Sequence, residues 1–136
     1  MLLSPRRFKY KKIRKGSLPT NILSSCRNPE FGNFGLKAEW FGILTAKQLE
    51  ASFRVISKLI KKTGRLWVRV FPQIAVSKKP VEVRMGKGKG PVDHWVAKIR
   101  PGTILFELTG LSSRKAEEVF KKASTKLPFK TRMVSN

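Results

Sequence analysis

At 136 residues the chain suffices for one domain with a modest core and is too short for two. Lys and Arg number 30 against 8 Asp and Glu, a formal net charge of +22, and self-repulsion of that size calls for a polyanionic partner, most naturally nucleic acid. A lone Cys26 and a lone His94 leave no internal disulfide or Cys-based metal site and make a His cluster or a Ser/His/Asp triad hard to build; no apolar run of about 18 residues exists to span a membrane.

Arg6, Arg7, Lys9, Lys11, Lys12, Arg14 and Lys15 crowd into one short stretch, and the first acid of the chain is Glu30. Such a segment repels itself, so residues 1–30 are predicted to be a basic tail and linker, disordered alone and ordered on RNA. Phe8, Tyr10 and Ile13 interleave with the charges, and the aromatics suit stacking on unpaired bases. In composition the first 16 residues also resemble an organelle transit peptide.

Residues 31–136 are predicted to form a single domain. Phe31 to Ala38 leads into a strand ending near Trp40. Thr45-Ala46-Lys47-Gln48 has the capping-box form and opens a helix to about Lys62, closed by Gly64 as a left-handed terminal residue. Leu49, Phe53, Ile56 and Ile60 make its buried stripe; Lys47, Arg54, Lys58 and Lys61 fall opposite, with only Glu50 as counter-charge, and are assigned to phosphate.

Leu66 to Phe71 is β-branched and aromatic, a strand ended by Pro72, with Trp67, Arg69 and Phe71 on one face. From Pro72 to Trp95 a long connection is expected, with one short strand at Val81 to Arg84. It contains Arg84-Met85-Gly86-Lys87-Gly88-Lys89-Gly90, within a Gly/Lys loop over 84–94. Glycines without a Cβ let a phosphate or ribose approach, and lysines between them supply point charges. The ordinary reading of such a loop is a mobile solubilising surface; the charge of the whole chain favours a polyanion ligand.

His94 to Arg100 and Thr103 to Leu108 flank Pro101-Gly102, a type II turn pair, and are expected to form a hairpin. Ser112 or Ser113 opens a second helix, with Ala116, Val119, Phe120, Ala123 and Leu127 inward, and Pro128 stops it. Phe129 to Val134 reads as a last, edge strand. The fold class is α+β, two helices packed on a mostly antiparallel sheet, with the basic tail and the Gly/Lys loop as appendages.

These stretches resemble the bacterial-type large-subunit ribosomal protein family usually numbered sixteen, with its organellar members. The resemblance rests on Pro5-Arg6-Arg7 through Gly16, Phe31 through Ala38, Leu44 through Ala51, Trp67 through Pro72, Lys79-Pro80, Arg84 through Gly90, Trp95-Val96-Ala97 and Lys126-Leu127-Pro128. It implies a non-catalytic protein bound to large-subunit rRNA near the aminoacyl-tRNA site and peptidyl transferase centre. Such a protein touches tRNA in the aminoacyl and peptidyl sites and neighbouring ribosomal proteins, and supports late subunit assembly. Tail cations, with Arg84, Lys87 and Lys89, are the implied main contacts; Lys37, Lys47, Arg54, Lys58, Lys61 and Arg69 complete the RNA-binding set. No cofactor, metal or membrane is implied.

An RNA-processing or RNA-modifying enzyme is the alternative, for which the sequence offers only the adjacent pair Asp93-His94 and no P-loop spacing. Because the family pattern begins by Pro5, nothing is expected in front to be cleaved. An organellar ribosome is expected, mitochondrial by preference, with chloroplast or bacterial cytoplasm as alternatives. The family commonly carries Gly and Arg around Trp40-Phe41-Gly42-Ile43 and an Arg pair at Ser52-Phe53, which marks that corner as a contact with another protein or an altered rRNA.

Overall fold

The computed structural model describes residues 3–14, 16–18, 20–22, 28–61 and 63–136. Lys15 and Cys26, and the expected helix end at Lys62, lie outside the described residues. Two antiparallel sheets share a layer of two helices. The first sheet has the order β3 (Arg65–Val68), β6 (Ile104–Thr109), β1 (Phe34–Ala38), β7 (Thr131–Ser135). The second runs β2 (Gly42–Thr45), β5 (Val92–Ile99), β4 (Ile74–Ser77). Helix α1 (Ala46–Ile60) packs on α2 (Ser113–Ser124) and on strands of both sheets; α2 covers β1 and β7. The α+β class with helices on an antiparallel framework is therefore observed, on two sheets in place of one.

Local chemistry explains the helix boundaries. Thr45 Oγ1 accepts the Gln48 N–H at 3.2 Å, while Gln48 Oε1 accepts the Thr45 N–H at 3.0 Å, which satisfies two orphan donors at the start of α1. The helix ends at Ile60, and the left-handed residue is Lys61 (φ 53°), not Gly64. Gly64 is required by space instead: a Cβ there would stand 2.6 Å from the Thr109 carbonyl oxygen. Leu49, Ile56 and Ile60 are buried as expected. Phe53 is only partly buried, and the full burial falls to Ser52, whose hydroxyl donates to the Gln48 carbonyl.

Every residue from Ile104 to Leu108 is buried, because β6 lies between β3 and β1 and under the helices. Leu36, Leu44, Phe106, Leu108 and Phe120 join the α1 stripe in one core. Each such side chain contributes about 1.5–3 kcal/mol relative to exposure.

Three expectations about strands are corrected. Pro101-Gly102 does make the tight turn, with Gly102 at φ 88° and the Thr103 N–H donating to the Arg100 carbonyl at 3.2 Å. The strands it joins do not pair: β5 belongs to the second sheet and β6 to the first, so the turn carries the chain between sheets. The connection after Pro72 contains β4 at Ile74–Ser77, and residues Val81 to Arg84 form no strand. Lastly, β2 was not expected; it exists by pairing with β5, Ile43 opposite Lys98 and Leu44 opposite Ala97.

The tail also differs from expectation. Leu3 is buried in the core, the Phe8 and Trp95 rings meet edge to face at 5.0 Å, and Ile13 lines an apolar cleft with Ile43, Ile74 and Val76. Phe8 and Ile13, spaced among the cations, are half-buried against the second sheet while Tyr10 and the charges stay in water, so the segment lies along the domain.

Candidate nucleic-acid interface

Two strands set the root of the Gly/Lys loop. The Lys78 N–H donates to the Pro91 carbonyl at 3.1 Å, at the end of β4 and the start of β5, and residues 79–90 project beyond it. Gly90 permits this closure, since a Cβ there would lie 2.5 Å from the Lys78 carbonyl oxygen. Residues 81–89 are all exposed. Gly86 (φ 106°), Lys87 (φ 51°) and Gly88 (φ 84°) form a left-handed run, and a Cβ at either glycine would meet nothing within 4 Å. Those glycines are therefore needed for conformation and not for room. Lys79 Nζ donates to the Gly86 carbonyl and holds the loop's bend.

Tail and loop meet. Lys12 Nζ donates to the Lys89 carbonyl at 2.7 Å, and Lys89 Nζ donates to the Ile13 carbonyl at 2.5 Å. Lys98 Nζ, on β5, donates to the Ser17 carbonyl at 3.0 Å. Two segments that lack regular structure are thus joined by lysines reaching backbone carbonyls. Arg6, Arg7, Lys9, Lys11 and Arg14 in the tail, and Arg84 and Lys87 in the loop, are exposed.

At the loop root, His94 Nδ1 lies 2.8 Å from Asp93 Oδ2. That hydrogen bond holds the Asp93 carboxyl below its usual range, and the charges of Lys78 and Lys47 act in the same direction. Lys47 stands at the first turn of α1. Lys58 and Lys61 are exposed at the opposite end of the helix, Lys58 about 16 Å of rise further on. Arg54 donates to Glu50 at 2.9 Å, an exposed pair within the helix.

Lys37 lies on the first sheet, opposite Arg132 of β7, and both line an open groove on that sheet.

Arg69 departs most from its predicted role. Its Nη1 donates to Oε1 of the wholly buried Glu107 at 2.8 Å, its Nη2 donates to Glu30 at 2.7 Å, and its guanidinium stacks 4.5 Å from the Phe31 ring centre. The guanidinium is committed inside the chain. Sequence reasoning missed Lys78, Lys79 and Lys98, whose outward positions on or beside β4 and β5 become meaningful only once those strands are paired.

Among the described residues no group of three or more His, Cys, Asp or Glu could hold a metal ion, and no helix is long and apolar enough to cross a membrane.

Residues 5–134 match the family described as ribosomal protein L16p/L10e. The chain belongs to that family. Its "Large ribosomal subunit protein uL16" relatives include that of Buchnera aphidicola subsp. Cinara cedri (strain Cc), 50% identical over 135 residues, covering 98% of this chain and 97% of that one. Those of Halorhodospira halophila and Psychrobacter arcticus are each 47% identical, over 134 and 133 residues, covering 98% of this chain and 97% and 96% of theirs. The L16p/L10e family is one of structural proteins and not of enzymes, so the RNA-processing alternative falls. These relatives are bacterial, and the preference for a mitochondrial setting gains no support from them.

Proposed function

We propose that the protein is a structural constituent of the large ribosomal subunit that binds its rRNA through the joined tail and Gly/Lys loop. The observation carrying this is the pair of hydrogen bonds from Lys12 Nζ to the Lys89 carbonyl and from Lys89 Nζ to the Ile13 carbonyl, which joins the two exposed basic segments of a chain with net charge +22. A surface of that kind gains affinity from counterion release on a phosphate backbone. The names of the relatives supply the particle, a large ribosomal subunit. From the family resemblance we extend the reading to a position beside the aminoacyl-tRNA site and peptidyl transferase centre, where the loop helps position tRNA and supports late subunit assembly. The compartment is a bacterial cytoplasm or an organelle.

Affinity of the full chain for a large-subunit rRNA fragment, titrated against salt, tests the core of this reading. The logarithm of the affinity should fall linearly with log salt, with a slope near 0.9 per neutralised phosphate on duplex regions. A flat response overturns it. Sedimentation with large subunits, bacterial or organellar, decides the compartment.

A further inference from the structure

Residues between β1 and β2 form a corner whose neighbouring grooves include Ile22 of the linker but none of the tail cations Arg6 to Arg14 and none of the Gly/Lys loop. Trp40 and Phe41 stack there, ring centres 5.5 Å apart and planes 25° off parallel. Trp40 is nonetheless 63% exposed. Phe41 backs one face of the indole, and most of the rest is open to water. A large aromatic ring held in water is costly unless something covers it.

Cations lie in the two grooves next to the pair, grooves that Glu39 lines and the rings themselves do not. Glu39 lies between these open grooves: one also holds Lys37 and Arg132, the other Lys130. The Glu39 N–H donates to the Lys130 carbonyl at 3.0 Å, which fixes this corner to the start of β7. Behind it, Phe129 presses on Gly42, where a Cβ would come 2.6 Å from the ring. The corner is thus a braced turn carrying an aromatic stack, with three cations and one carboxylate in the grooves beside it.

We propose that Trp40, backed by Phe41, is a stacking platform for an unpaired RNA base, whose flanking phosphates are held by Lys37 and Arg132 on one side and Lys130 on the other. The chemistry selects this occupant. An exposed indole face takes any nucleobase, and cations on both sides suit the phosphates before and after that base. A pair inside a duplex has its faces covered by its helical neighbours, so only the end pairs could lie on the indole. An apolar protein partner would bury Lys37, Arg132 and Lys130 with Glu39 as the single carboxylate beside them. This inference rests on the RNA-binding reading above and adds a second contact, separate from the Lys12–Lys89 junction, with its own specificity for unpaired bases.

The test uses the full chain and two RNA probes: single-stranded oligoadenosine of about ten nucleotides, and a blunt duplex with the same number of phosphates. Trp40→Ala should weaken binding of the single strand by about tenfold and leave the duplex unchanged. Trp40→Phe should keep most of the affinity, whereas Trp40→Leu, apolar but unable to stack well, should lose it. An unchanged single-strand affinity in Trp40→Ala, equal losses on both probes, or full affinity in Trp40→Leu would each overturn the platform. So would a Trp40→Ala chain that binds both probes normally but fails to join a ribosomal protein neighbour, which would make the corner a protein contact. Salt-dependent duplex binding without any Trp40 effect defeats this inference alone. Failure of the wild type to bind either probe defeats the RNA-binding reading with it.

Discussion

Arg69 and Glu107 form an ion pair at 2.8 Å that ties the tail's exit to the central strand of the first sheet. The other oxygen of Glu107 accepts the N–H groups of Glu30, Phe31 and Gly32 at 3.1, 2.6 and 3.0 Å. A carboxylate that is fully buried is tolerable only because all these donors converge on it. Gly32 makes the approach possible, since a Cβ there would stand 2.5 Å from the Leu108 carbonyl oxygen. Arg69→Ala leaves the buried charge with fewer partners and should cost about 3–5 kcal/mol of folding stability. Denaturant unfolding measures it; a neutral result, with RNA affinity lost instead, would return Arg69 to the RNA-binding set.

The loop lysines predict the opposite pattern. Lys87 is exposed and Lys89 reaches only the Ile13 carbonyl, so the Lys87→Ala, Lys89→Ala double variant should change stability by no more than about 0.5 kcal/mol. It should weaken rRNA binding and free the tail to proteolysis near Ile13. A large fall in melting temperature would show the loop to be part of the core.

At Gly102 the backbone sits at φ 88°, in the step between the two sheets. Gly102→Ala should destabilise by about 1–2 kcal/mol, the cost of a left-handed L-residue. Equal stability by thermal unfolding would mean that the turn relaxes freely.

The capping box at α1 gives a smaller expectation. Thr45→Ala removes the acceptor for the Gln48 N–H and should cost about 1 kcal/mol, seen as a lower denaturant midpoint with unchanged slope.

Exposed carboxylates set the pH response of the surface pairs. Hydrogen bonds from Arg54, His94 and Lys122 hold Glu50, Asp93 and Glu118 below their ordinary values. A carboxyl depressed in the folded state stabilises above its unfolded pKa, and that contribution fades as pH falls through the folded value. The contribution of the Glu50–Arg54 and Glu118–Lys122 pairs should therefore be constant around neutrality and disappear only in acid. Asp93→Asn should flatten part of the acid limb of a stability–pH curve.

How much of this could be read from residues alone depended on the range of the interaction. The start of α1 was legible because Thr45 and Gln48 are three residues apart. The inward face of α2 was equally plain, with Ala116, Val119, Phe120 and Ala123 buried. Turn chemistry at Pro101-Gly102 was also correct, yet its strands were assigned to each other because a turn says nothing about which strand lies alongside. Short β2 and β4 exist through β5, and four-residue strands carry little pattern of their own. Arg69 looked like any exposed strand arginine because its partner Glu107 is 38 residues further on. The candidate interface was visible as charge, while the junction of Lys12 with Lys89, 77 residues apart, was not.

Strand β1 has a consequence for the timing of folding. Phe34 pairs with Leu108 on one side and with Ser135 on the other, so both neighbours of an early strand come from the last third of the chain. During synthesis the apolar residues Leu36 and Ala38 must wait, unsheltered, until Thr131–Ser135 has been made. Such long-range closure is slow and leaves a highly cationic nascent chain open to promiscuous capture by nearby polyanions. An escort that shields Leu36 and its surroundings until β7 pairs would speed maturation more than one that shields α1, whose contacts with β2 form locally.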